Sequence, residues 1–100
     1  MNETLIEKEI QDKNLNAPRL TPLLIDSVIA NKVFHVFGDT CLTVCCLTLK
    51  NGFTVTGESA CASPENFNAE IGEVIAFENA RNKIWMLEGY LLKQKLFEEN

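Results

Sequence analysis

The hydrophobic pattern divides the chain into short β-rich runs followed by one long stretch of helical periodicity. Cys41–Leu49 and Phe53–Glu58 are rich in β-branched and other apolar residues, and Asn51-Gly52 separates them. Both turn residues tolerate positive φ, so the pattern predicts a β-hairpin. Upstream, Val33-Phe-His-Val-Phe37 reads as a third strand, and Gly38-Asp39 turns the chain into the hairpin. Sequential strands usually neighbour one another, so an antiparallel meander is the simplest arrangement.

A two-residue turn sets the register: Lys50 opposite Phe53, Thr48 opposite Val55, Cys46 opposite Gly57 and Val44 opposite Ser59. One face then carries Leu42, Val44, Cys46, Phe53 and Val55. The other carries Cys45, Leu47 and Leu49 beside Thr54, Thr56 and Glu58. Neither is uniformly polar, which predicts partial cover on both. Gly57, inside a strand, marks a bulge or a close backbone approach.

Thr21-Pro22 and Ser63-Pro64-Glu65 each combine a capping side chain with proline at the first helical position. The first predicts a helix over about 22–32, with Leu24, Ile25, Val28 and Ile29 on one face. The second opens a longer helix over about 64–84, on which Phe67, Ile71, Val74 and Ile75 make a stripe of large side chains. Ala69, Gly72, Ala76 and Ala80 make a separate stripe of small ones, suited to close packing on a sheet or another helix. A helix apolar on most sides is buried on more than one, and one sheet covers only one of them. The rest calls for another helix of the chain or a second subunit. Gly89 predicts a bend or break near 86–89, followed by a short final helix carrying Leu91, Leu92 and Leu96.

The fold class is therefore α+β: a three-stranded meander packed on a long helix, with a short helix before and after it. Residues 21–100 form one domain. Residues 1–20, charged and interrupted by Pro18, read as an N-terminal arm or a short helix stabilised by a partner.

Charge narrows the function. Nine Lys and Arg against fourteen Asp and Glu give a net charge of −5, a poor basis for binding a nucleic-acid backbone. No apolar run approaches the roughly 20 residues that span a bilayer, and the first residues lack a secretory-signal pattern, so no membrane partner is expected. Cys41, Cys45, Cys46 and Cys61 do not form the Cys-x-x-Cys pairs of a zinc site, and no metal or other cofactor is expected. Reduced, partly buried thiols are the simpler reading. His35, the sole histidine, has no recognisable nucleophile to serve. The candidate ligand-binding residues are Glu58 and Ser59 beside the strand glycine, Asn79 and Lys83 on the long helix, and Trp85 and Tyr90 near its predicted break. The aromatic rings read first as core with their polar tips satisfied, and second as a shelf for a planar ligand with Lys83 or Arg81 as the charged contact.

Thr43-Val-Cys, Leu49-Lys-Asn-Gly-Phe-Thr-Val-Thr-Gly-Glu-Ser59, Ser63-Pro-Glu-Asn-Phe67, Ile71-Gly72, Asn79-Ala80, Ile84-Trp85 and Glu88-Gly-Tyr-Leu91 occur in fixed order. In this order they resemble a family of small tailed-phage proteins, the gene-product-49-like or gene-66-like family, over roughly residues 20–92. The resemblance implies a phage or prophage origin and expression in the host bacterial cytoplasm. It brings neither a reaction nor catalytic residues. The expectation is a non-enzymatic accessory protein, acting as a homo-oligomer that sequesters a nucleotide-derived host immune signal. The alternative is a protein–protein module that binds and inhibits a host protein.

Overall fold

The computed structural model describes residues 2–15 and 17–100. Met1 and Asn16, both within the segment read as an arm, lie outside the described residues. The elements run α1 (Glu3–Asp12), α2 (Pro22–Ser27), β1 (Ile29–Val36), β2 (Thr43–Leu49), β3 (Thr54–Ser59), a 3₁₀ turn (Pro64–Asn66) and α3 (Ala69–Glu98). The strands form one antiparallel sheet in the order β1-β2-β3, and α3 lies across it. The α+β class and the meander are those expected from the pattern.

The hairpin register differs from expectation by one residue. Leu47 pairs with Val55, Cys45 with Gly57 and Thr43 with Ser59. The loop holds three residues, not two: Leu49 N donates to Phe53 O at 2.8 Å, Gly52 N donates to Leu49 O at 2.9 Å, and Gly52 adopts φ +90°. This is a turn closed by a left-handed glycine, which inserts one extra residue. The one-residue shift moves β3 to the opposite face. Cys45, Leu47, Leu49, Val55 and Gly57 therefore share the helix-facing side, all buried. Val44, Cys46, Thr48, Thr54, Thr56 and Glu58 share the other, which no element covers among the described residues.

The helices also depart from the expected boundaries. α2 ends at Ser27, and Ile29–Lys32 belong to β1, because pairing with β2 uses these residues in the ladder. Ser63-Pro64 opens only the 3₁₀ turn, and Ser63 makes no capping hydrogen bond to the backbone. Asn68 caps α3, its Oδ1 accepting from Ile71 N at 3.0 Å. α3 then continues for 30 residues through Gly89, so the predicted break and separate final helix are absent. A Cβ at Gly89 would reach Leu20 Cδ1 at an ordinary 3.7 Å, and the cost of one helical glycine, about 1 kcal/mol, does not stop so long a helix.

The core lies between the sheet and the small-residue stripe. Gly72, Ala76, Ala80 and Ile84 are buried against Cys45, Leu47, Leu49 and Val55, and Ile25 of α2 closes one side. The large-residue stripe points the other way: Ile71, Val74 and Ile75 stand exposed. At about 1.5 Å per residue α3 is roughly 45 Å long, whereas a seven-residue strand covers only about 23 Å. The helix outruns the sheet and gives the molecule its dimensions of 53 × 31 × 18 Å.

Candidate functional site

An apolar concavity forms where α3 passes the end of the sheet. It is a groove of about 570 Å³ between the β2–β3 turn and the C-terminal half of α3. Val28, Leu49 and Leu87 supply apolar wall, and Phe53, Met86, Tyr90 and Leu91 rise around it. These four large side chains are exposed, Met86 at 75% and Tyr90 at 71%. Lys50 and Asn51 from the turn and Glu88 from the helix add charge and polarity to the lining. The groove is a direct product of the helix length. Leu87, Tyr90 and Leu91 continue the direction that buries Ala76 and Ala80, at roughly 100° per residue, but the sheet has already ended.

A charged cluster holds the N-terminal segment to α3. The Arg81 guanidinium meets Asp26 Oδ1 at 2.7 Å and Glu3 Oε2 at 2.5 Å, and donates to Pro22 O at 3.3 Å. Trp85 Nε1 donates to the same Glu3 oxygen at 3.1 Å. The hydrogen bond from Arg81 lowers the Glu3 carboxyl below its ordinary range against the opposing effect of burial. Glu3 in turn raises Arg81. A second pair, Arg19 with Glu7 at 2.7 Å, ties the loop after α1 back onto it, and hydrogen bonds from Arg19 and then Gln11 lower Glu7 to about 2. α1 buries no residue, so these polar contacts dominate its attachment.

The six residues singled out from the sequence do not share one pocket in the single chain. Glu58 lies on the open sheet face and Ser59 is half-buried on the helix side. Asn79 Nδ2 donates to the Glu58 carbonyl at 2.8 Å, which joins β3 to α3. Asn79, Lys83 and Tyr90 fall within about 40° of one another around the helix axis, but Asn79 and Tyr90 are about 16 Å apart along it. Tyr90 lines the groove. Trp85 points to the other flank, with its indole N–H occupied by Glu3. Sequence reading missed Phe53, Met86, Leu87 and Leu91 as one constellation. The signal was there: carried through Gly89, the helical wheel aligns Leu87, Tyr90 and Leu91 with the small stripe.

His35 is exposed on the uncovered sheet face, its ring edge-on to Phe37 at 4.6 Å. Among the described residues, no group of three His, Cys, Asp or Glu side chains is placed to hold a metal ion. Among the same residues, no helix is long and apolar enough to cross a membrane.

Fold and groove together define a small α+β protein with a long, overhanging helix on a three-stranded sheet. Residues 20–96 match the Phage protein (N4 Gp49/phage Sf6 gene 66) family, and the chain belongs to that family. It is thus a small phage protein. Neither the curated proteins nor the solved structures hold a match to it.

Proposed function

We propose that this phage protein is a non-enzymatic binding module of the host cytoplasm that seats an apolar helical segment of a host protein in the overhang groove and so inhibits that protein. The observation that carries this reading is the ring of Phe53, Met86, Tyr90 and Leu91, four large exposed side chains around one apolar groove. Such a concentration is characteristic of surfaces that receive a partner, and amphipathic helices dock in grooves of this kind. Lys50 and Glu88, of opposite sign, suit a segment whose polar flanks carry the complementary charges. In this reading copies of the chain pair through a separate surface, where Ile71 and Ile75 are exposed, which leaves the groove open.

A counter-defence role by nucleotide-signal sequestration draws support from Tyr90 together with Lys50 and Asn51 in the groove, where a base could stack and a phosphate meet a cation. The apolar lining favours the protein segment.

The test compares the wild type with Leu91→Asp and with Ile75→Glu in infected cells, using crosslinking and native mass spectrometry. The proposal expects one host polypeptide crosslinked at the groove, lost in Leu91→Asp and kept in Ile75→Glu, while Ile75→Glu alone lowers the oligomer mass. A co-purified nucleotide in place of the polypeptide, lost on Tyr90→Ala, overturns it in favour of sequestration.

A further inference from the structure

At the end of the hairpin opposite the groove, two cysteines face each other. The β2–β3 ladder pairs Thr43 with Ser59, and carrying that register two residues further sets Cys41 opposite Cys61. Both are free and half-buried. Their side chains interact: the neighbouring Cys61 thiol, with burial adding to it, raises Cys41 above the usual thiol range. The other two cysteines are arranged differently. Cys45 is buried under α3, and its neighbour Cys46 projects from the opposite side of the sheet, opposite Thr56 and Val33.

We propose that Cys41 and Cys61 form a reversible intramolecular disulfide by exchange with a low-molecular-weight disulfide such as oxidised glutathione. Cys41 and Cys61 lie two residues beyond the last ladder pair, Thr43 and Ser59. Directly opposed residues of such a ladder have Cα atoms about 4.5–5.5 Å apart, and a disulfide spans ~4.4–6.8 Å, so the pair needs little movement to be bridged. One thiolate of the pair attacks a sulfur of the small disulfide, forms a mixed disulfide and releases one glutathione. The second thiolate attacks the protein sulfur of that mixed disulfide and releases the other glutathione. The protein pair gives up two electrons and two protons, and the oxidised glutathione is reduced to two thiols. The bridge closes the open end of the ladder and ties the start of β2 to the segment that leads into α3. The extent of bridging follows the glutathione poise: the thiols persist in a reducing cytoplasm, and the bridge forms when the glutathione pool becomes oxidised.

The test titrates the intact chain with defined mixtures of reduced and oxidised glutathione, followed by alkylation and peptide mapping. The expected product has lost about 2 Da, contains a Cys41–Cys61 bridge, and leaves Cys45 and Cys46 open to alkylation after unfolding. Its Tm rises by about 10 °C, and reduction reverses the change. Cys41→Ser and Cys61→Ser each stop at a mixed glutathione adduct. Absence of a bridged peptide in fully oxidised glutathione, or a bridge that includes Cys45 or Cys46, overturns the proposal. The wild-type mapping decides the matter even if a serine variant fails to fold.

Discussion

Gly57 on β3 sits directly against the backbone of α3 at Ala80. A Cβ built at Gly57 would overlap Ala80 N and Ala76 O, and would lie 2.8 Å from the Asn79 carbonyl carbon. The obstruction is main chain, which cannot rotate away as a flexible side chain would. Gly57→Ala must therefore lift α3 from the sheet, and we expect a loss of about 3 kcal/mol. Thermal unfolding followed by circular dichroism should show a fall in Tm on the order of 15 °C. A near-unchanged Tm would mean that the helix does not approach β3 this closely.

One turn of helix earlier in the seam, Thr43 is fully buried and its Oγ1 has no hydrogen-bond partner among the described residues. A hydroxyl withdrawn from water without compensation destabilises the fold. Thr43→Val keeps the branched shape and removes the unpaired oxygen, so urea unfolding should show a gain of about 1 kcal/mol. A loss would reveal a partner for the hydroxyl, such as an ordered water.

The attachment of α1 depends on acid. Glu3 is lowered from its ordinary 4.5 by Arg81, so the contact is complete above that pH and is lost as pH falls through the folded-state value. Glu7, lowered to about 2 by Arg19 and Gln11, holds its own pair further into acid. Trp85 is the sole tryptophan and donates to Glu3, so its fluorescence reports the event. We expect a red shift of its emission as pH falls through the lowered folded-state value of Glu3, absent in Glu3→Gln, whose emission is already shifted at neutral pH. Glu3→Gln should cost about 1 kcal/mol at neutral pH, and the difference from wild type should shrink as pH falls through the folded-state value of Glu3.

Gly52 holds the hairpin register by adopting φ +90° after Lys50-Asn51. An alanine there must enter the left-handed region at a cost of about 1 kcal/mol. Gly52→Asn, which tolerates that region better, should lose less. Amide exchange at Leu49 and Gly52, whose N–H groups close the loop, would show the difference as faster local opening in the alanine variant.

Local chemistry was enough to recover the fold class and most of the elements. The Asn51-Gly52 turn signal, the Thr21-Pro22 helix start and the small-residue periodicity of Gly72, Ala76 and Ala80 each act over a few residues, and each appears in the fold. The ordered motifs between Thr43 and Leu91 were likewise sufficient for the family.

Tertiary contact decided the rest. Whether the turn holds two or three residues changes local energy little, but only the three-residue form places Val55 with Leu47 and Leu49 under α3. Gly89 weakens the helix locally, yet α3 continues because it is already long and its last turns are partly covered. That continuation carries Met86, Tyr90 and Leu91 past the sheet and creates the groove. Trp85 and Lys83, close in sequence, face different flanks, and Trp85 meets Glu3 from the far end of the chain. The sequence by itself determined the fold class, the three-stranded meander, the presence of a long helix and the family, because those rest on short-range preferences. The register, the length of α3 and the location of the groove were decided by which surfaces the folded chain could bury together.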